Sequence, residues 1–199
     1  MKVYQHARFA ATYADLLRSA EHAAAARFFL DELYGPHDFT ERDAQFARIV
    51  PALVRLFPRD IVATVRSLAE LHALSERLDA EMAGVLDHAE LDLGTYRAAW
   101  QRVGRGAERQ RQIDLMLQIG RALVRFTRNP VLRHSLRLMR GPAKAAGLGA
   151  LQHFLERGFD TFGALRQPEA FLALIAEREQ VIARWLFDEP GDGPAPPGF

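Results

Sequence analysis

Apolar residues recur every three or four positions along nearly the whole chain, and no stretch alternates apolar with polar as a half-buried strand does. That periodicity predicts helices and no sheet. The first helix is expected from Tyr4 to Tyr34, stopped by Gly35-Pro36, with Asp38 or Thr40 capping the next. The second carries Phe46, Ile49, Val50, Leu53, Leu56 and Phe57. Pro51 lies inside it, removes one amide donor and predicts a kink.

Pro58 opens a third helix reaching about Ala89. Its expected seam is Leu68, Leu71, Ser75, Leu78, Met82 and Val85, with spacings of three and four. Further helices are expected from Gly94-Thr95 to Trp100, from Ala107 to Arg128 and from Asn129-Pro130 to Gly141-Pro142. The last two run from Ala143 to Leu165 and from Gln167-Pro168 to Phe187. The sequence therefore predicts an all-α irregular helical bundle of seven or eight helices with a kinked second helix. Residues 1–187 read as a single helical domain and 188–199 as a disordered Pro/Gly-rich tail. With 49% hydrophobic residues, 199 residues suffice for one core.

Two stretches, FFLDELYGPHDFTERD from Phe28 to Asp43 and LGALQHFLERGF from Leu148 to Phe159, occur together. Carrying both, the chain resembles an uncharacterised family of all-helical proteobacterial proteins of about this length. The resemblance implies a helical fold and a bacterial cytoplasmic setting. It carries no assigned activity and no catalytic residue.

Several chemistries are disfavoured directly. The chain has no cysteine, which removes disulfides, thiolate catalysis and Cys-based zinc sites. Ser19, Ser67, Ser75 and Ser135 lack a G-x-S-x-G context, and no Gly-rich phosphate loop is present. A di-iron bundle needs Glu-x-x-His, yet none of the seven histidines has an acid three residues before it. No metal, no cofactor and no catalytic residue are therefore assigned. Met1 to Tyr13 lacks the apolar core of a signal peptide, and no run approaches the roughly 18 apolar residues that span a bilayer. The expected location is the cytoplasm, with no membrane partner.

Charge gives the sharpest functional feature. Residues 97–144 hold twelve Arg/Lys against Glu108 and Asp114, a net of +10, whereas residues 1–96 carry −5 and residues 145–199 carry −4. Arg121, Arg125 and Arg128 share i, i+4, i+7 spacing, and so do Arg133, Arg137 and Arg140, so each trio lines one side of a helix. Lys144 adds a cation beyond Gly141-Pro142. Such stripes either pair with the acidic flanks or present an anion-binding face for an acidic partner, a phosphate-bearing ligand or nucleic acid. The expectation is a non-enzymatic protein binding an anionic partner through residues 121–144. The alternative is an enzyme or cofactor-binding bundle with a polar pocket at Tyr34, His37, Asp38, Arg42 and Asp43. The third reading is a structural or regulatory homodimer.

Overall fold

A computed structural model describes residues 2–32, 40–56, 58–86, 91–188 and 195–197. Among these are eleven helices and no strand, so the all-α expectation holds while the count of seven or eight does not. The extra helices come from breaks that the apolar period runs straight through.

The expected first helix is three: α1 (Lys2–Thr12), α2 (Ala14–Arg18) and α3 (Ala23–Glu32). Tyr13 separates the first two, although its amide still bonds Phe9 and its carbonyl still accepts from Leu17. Ser19 makes the real break. Its backbone is extended, and its Oγ accepts from the amides of Glu21 and His22, both at 3.3 Å. A serine hydroxyl thereby offers the chain an alternative to helical hydrogen bonds. The Gly35-Pro36 stop and the turn to Phe39 lie outside the described residues. Next, α4 (Thr40–Leu56) runs through Pro51, and α5 (Arg59–Leu86) follows.

α6 (Leu93–Val103) opens on a capping box, with Asp92 Oδ1 accepting from Thr95 N at 2.8 Å and Thr95 Oγ1 accepting from Asp92 N at 3.0 Å. α7 (Gly106–Thr127) falls where the sequence places it, and α8 (Pro130–Leu138) starts as expected but ends at Leu138, short of Gly141-Pro142. Asn129 Oδ1 accepts from the amide of Val131 at 2.9 Å. Gly141-Pro142 does not stop the chain: it lies in the first turn of α9 (Arg140–Ala145), where proline's missing amide has no intrahelical role. The true stop is Gly147, at φ 67°. Its amide bonds Lys144 and that of Leu148 bonds Ala143, closing the helix in a Schellman motif. α10 therefore starts at Gly149 and runs to Ala164, not from Ala143. It has no local cap; instead Gln45 of α4 accepts from the amide of Leu151 at 2.9 Å. α11 (Pro168–Phe187) ends at Asp188, whose carbonyl accepts from Arg97 and Gln101 of α6 at 2.8 and 2.7 Å. Beyond it, Pro196 is buried.

α7 is the central helix, packed on α5, α10 and α11. One apolar cluster joins Phe9, Tyr13, Phe28 and Phe29 to Val124, Phe162 and Phe171; another joins Met82, Tyr96 and Trp100 to Ile182 and Leu186. The seam of α5 is shifted from expectation. Ser67, Leu74, Leu78 and Met82 are buried, and Leu68 is half-exposed. The two serines persist there because α7 satisfies them: Gln118 donates to Ser67 at 3.2 Å and Gln112 to Ser75 at 2.7 Å.

Gly120 permits the close passage of α7 and α11, since a Cβ there would lie 2.7 Å from Leu172 Cδ2. Gly120→Val is expected to cost about 1–3 kcal/mol through overpacking. In urea titrations Gly120→Val/Leu172→Val should lose less than the two single variants together; simple additivity would show that the two sites do not clash.

Candidate functional site

The basic segment divides in two. α10 presents Glu156 and Asp160 one turn apart, and α8 and α9 lay their arginines against them. Arg133 donates to Asp160 at 2.7 Å, and Arg137 Nη2 lies 3.8 Å from the same carboxylate. Arg140 Nε lies 2.6 and 2.8 Å from the two oxygens of Glu156, which holds that carboxyl below its ordinary range. The second trio is thus engaged within the fold. Arg111 is likewise matched with Glu70 at 2.8 and 3.0 Å, and Arg105 with Glu81 at 3.2 Å.

The first trio is different. Arg121, Arg125 and Arg128 are all exposed on one face of α7, and none forms an ion pair with a described residue. Among the described residues, the contact of the Arg125 guanidinium is the ring of Phe126, 5.9 Å away. Lys144 is also exposed. Three residues past Arg128 the surface turns apolar: Val131, Leu138 and Met139 on and beside α8 are 68%, 65% and 49% exposed.

Of the alternative pocket, Tyr34, His37 and Asp38 lie outside the described residues, as does the side chain of Asp43. Arg42 has a packing role. It donates to the Glu32 carbonyl at 2.9 Å, ending α3, and its guanidinium covers the ring of Phe154 at 4.7 Å. No group of three His, Asp or Glu suited to a metal ion occurs among the described residues.

A cavity of about 70 Å³ with polar and apolar walls lies between α1, α5, α6, α7 and α11. Arg8, Tyr96, Trp100, Arg109, Gln112 and Glu179 contribute its polar wall. Arg109 is only 4% exposed, and its guanidinium carbon lies over the Trp100 ring, 3.9 Å from the ring centre. Burial lowers its pKa from the ordinary arginine value. Glu179 accepts from the Tyr13 hydroxyl at 2.7 Å and lies 3.8 Å from Arg8.

The charge map did not single out these residues, yet a sequence signal exists. Arg109 occupies the seam Arg109–Ile113–Leu117–Gly120–Val124, and Glu179 the seam Leu172–Ile175–Glu179–Ile182–Leu186. A charge on a core seam is rare without a partner or ligand.

Fold and sites together define an all-helical bundle with an exposed basic face that forms no ion pair among the described residues, and a cavity with polar and apolar walls. The chain belongs to the family described as a domain of unknown function, DUF8198, whose model matches residues 1–192. No curated protein and no solved structure matches it. No helix of the described residues is long and apolar enough to cross a membrane.

Proposed function

We propose that this is a non-enzymatic binding protein that docks an acidic partner protein on the face of α7 bearing Arg121, Arg125 and Arg128. The observation that carries the reading is the contrast between the two trios: Arg133, Arg137 and Arg140 have carboxylates at hand, whereas Arg121, Arg125 and Arg128 face solvent. The three span about 10 Å along the helix. Guanidinium groups so placed suit bidentate contact with carboxylates.

Two features favour a protein over nucleic acid. Tyr96, Trp100 and Phe126, the aromatic residues in and beside the basic segment, are all buried, so none is available to stack on a base. The adjoining Val131, Leu138 and Met139 gain from apolar contact, which a protein surface supplies and a phosphate backbone does not. The same apolar patch supports self-association as a second reading, and a mass that rises with concentration would reveal it.

Fluorescent poly-L-glutamate and a mixed-sequence DNA duplex are the probes. Poly-glutamate should bind the wild type in a salt-dependent way, and Arg121/Arg125/Arg128→Gln should weaken it about tenfold or more at low salt. The variant should stay folded by circular dichroism, since exposed replacements cost within about 0.5 kcal/mol each. Unchanged affinity in a folded variant would remove the stripe from the site. Tighter binding of the duplex would turn the reading to nucleic acid.

A further inference from the structure

α8 is amphipathic the wrong way round for a surface helix. Arg133, Arg137 and Arg140 recur at i, i+4, i+7, and their contacts with Asp160 and Glu156 place that stripe against α10. Val131, Ser135 and Leu138 repeat the same spacing two positions earlier, about 200° around the helix, so they lie on the opposite side. Val131 and Leu138 are 68% and 65% exposed, and Ser135 is exposed between them. Leu132 and Leu136, on the flank between the two stripes, are half-buried, and among the described residues none of α8 is buried. A helix on a protein surface ordinarily does the reverse, covering its apolar side and giving its charges to water. Here the charged side faces the protein and the apolar side is left open.

Shape and charge define what covers that side. Val131, His134, Ser135 and Leu138 stand at i, i+3, i+4 and i+7, the four corners between which a side chain of a packed helix inserts. All four are exposed, and Ser135 is small enough to let such a side chain in. Met139, at the end of the helix, adds an adaptable thioether beside them. Residues 115–155 contain seven Arg and Lys and no Asp or Glu. Of these cations, Arg121, Arg125, Arg128 and Lys144 are exposed, before and after α8 in the chain. Carboxylates around the apolar contact are therefore favoured. A second copy is a poor fit, since these few side chains fall short of the roughly 800 Å² per partner of a stable interface.

We propose that α8 docks a single amphipathic helix of the acidic partner, with an apolar side chain seated among Val131, His134, Ser135 and Leu138 and its carboxylates turned to the exposed cations. The proposal rests on the acidic-partner reading and gives that partner its form.

Two fluorescent peptides of identical Leu, Ala and Glu content are the probes, one with its leucines at i, i+3, i+4, i+7 and one scrambled. The patterned peptide should bind the full chain about tenfold tighter than the scrambled one. Val131→Gln/Leu138→Gln should remove that preference, leave poly-L-glutamate binding unchanged and stay folded by circular dichroism, since both sites are exposed. Should that variant fail to fold, Ser135→Gln fills the gap, leaves Val131 and Leu138 in place and should remove the preference by itself. Equal affinity for the two peptides overturns the proposal, as does a preference that survives in either folded variant. If poly-L-glutamate still binds in that case, the acidic-partner reading stands without the helix; failure of poly-L-glutamate to bind the wild type overturns both. Vesicles rich in phosphatidylglycerol that bind the wild type more tightly than the patterned peptide does, and release the double variant, overturn the proposal in favour of a bilayer. A wild-type dimer that the double variant dissociates overturns it in favour of a second copy.

Discussion

Phe171→Ala is expected to cost about 3–5 kcal/mol and to be the most damaging single truncation of the apolar core. Phe171 is 1% exposed, and its ring stacks on His22 at 5.5 Å and meets Phe29 at 6.2 Å. It bridges elements far apart in sequence, tying the opening of α11 to α3 and to the His22 turn before it. Truncation removes the transfer energy of a full ring and leaves a hole that several helices cannot close by small shifts. Val181→Ala on the same helix is the internal control: Val181 is 40% exposed and should lose within about 0.5 kcal/mol. Both are read from denaturant titrations at neutral pH. A loss below about 1 kcal/mol at Phe171 would mean that the aromatic cluster does not join α3 to α11.

The sequence conveyed this core unevenly, for physical reasons. Asn129-Pro130 and Gln167-Pro168 marked helix starts correctly because their signals are local: a side-chain cap or a fixed φ acts within one turn. The break at Ser19 escaped because apolar spacing continues through it, and the decision rests on one hydroxyl accepting two amides. At the other end of the bundle, Gly141-Pro142 looked like a stop because proline ends most helices. Here the Met139 turn started a new helix one residue earlier, and Gly147 closed it.

The candidate sites divide in the same way. Helical spacing set out both arginine trios, but whether each is engaged depends on which helix packs opposite. Glu156 and Asp160 belong to a helix whose placement beside α8 and α9 is tertiary information. For the cavity the relevant signal was present, as Arg109 and Glu179 both interrupt apolar seams. A charge profile averaged over long segments blurs single positions of that kind, and the partners Arg8 and Tyr13 lie over a hundred residues from Glu179.

Glu179→Ala is expected to cost about 3 kcal/mol, much more than loss of the neighbouring carboxylate Asp15, although Asp15 makes the shorter ion pair. Arg178 grips Asp15 at 2.6 and 2.7 Å and holds its pKa at about 2, whereas Arg8 and Glu179 are 3.8 Å apart. Distance alone ranks the pairs wrongly. The Asp15 side chain is 54% exposed, so water screens it and recovers its charge when the pair is broken; its loss should cost no more than about 1 kcal/mol. Arg8 and Glu179 are 10% and 15% exposed, so truncation leaves a buried guanidinium short of one carboxylate and takes the acceptor at 2.7 Å from the Tyr13 hydroxyl. Glu179→Gln separates these losses, since the amide oxygen still accepts from Tyr13 while the charge is gone, and should fall between wild type and alanine. Acid provides a second axis. A carboxyl whose folded pKa is depressed stabilises the fold above its unfolded value, so the Asp15 contribution should be complete at neutral pH and vanish as pH falls from about 4 towards 2. The Asp15→Ala and wild-type stability curves should therefore converge in that window. If Asp15→Ala proves as costly at neutral pH as Glu179→Ala, burial is not what makes the interior pair matter.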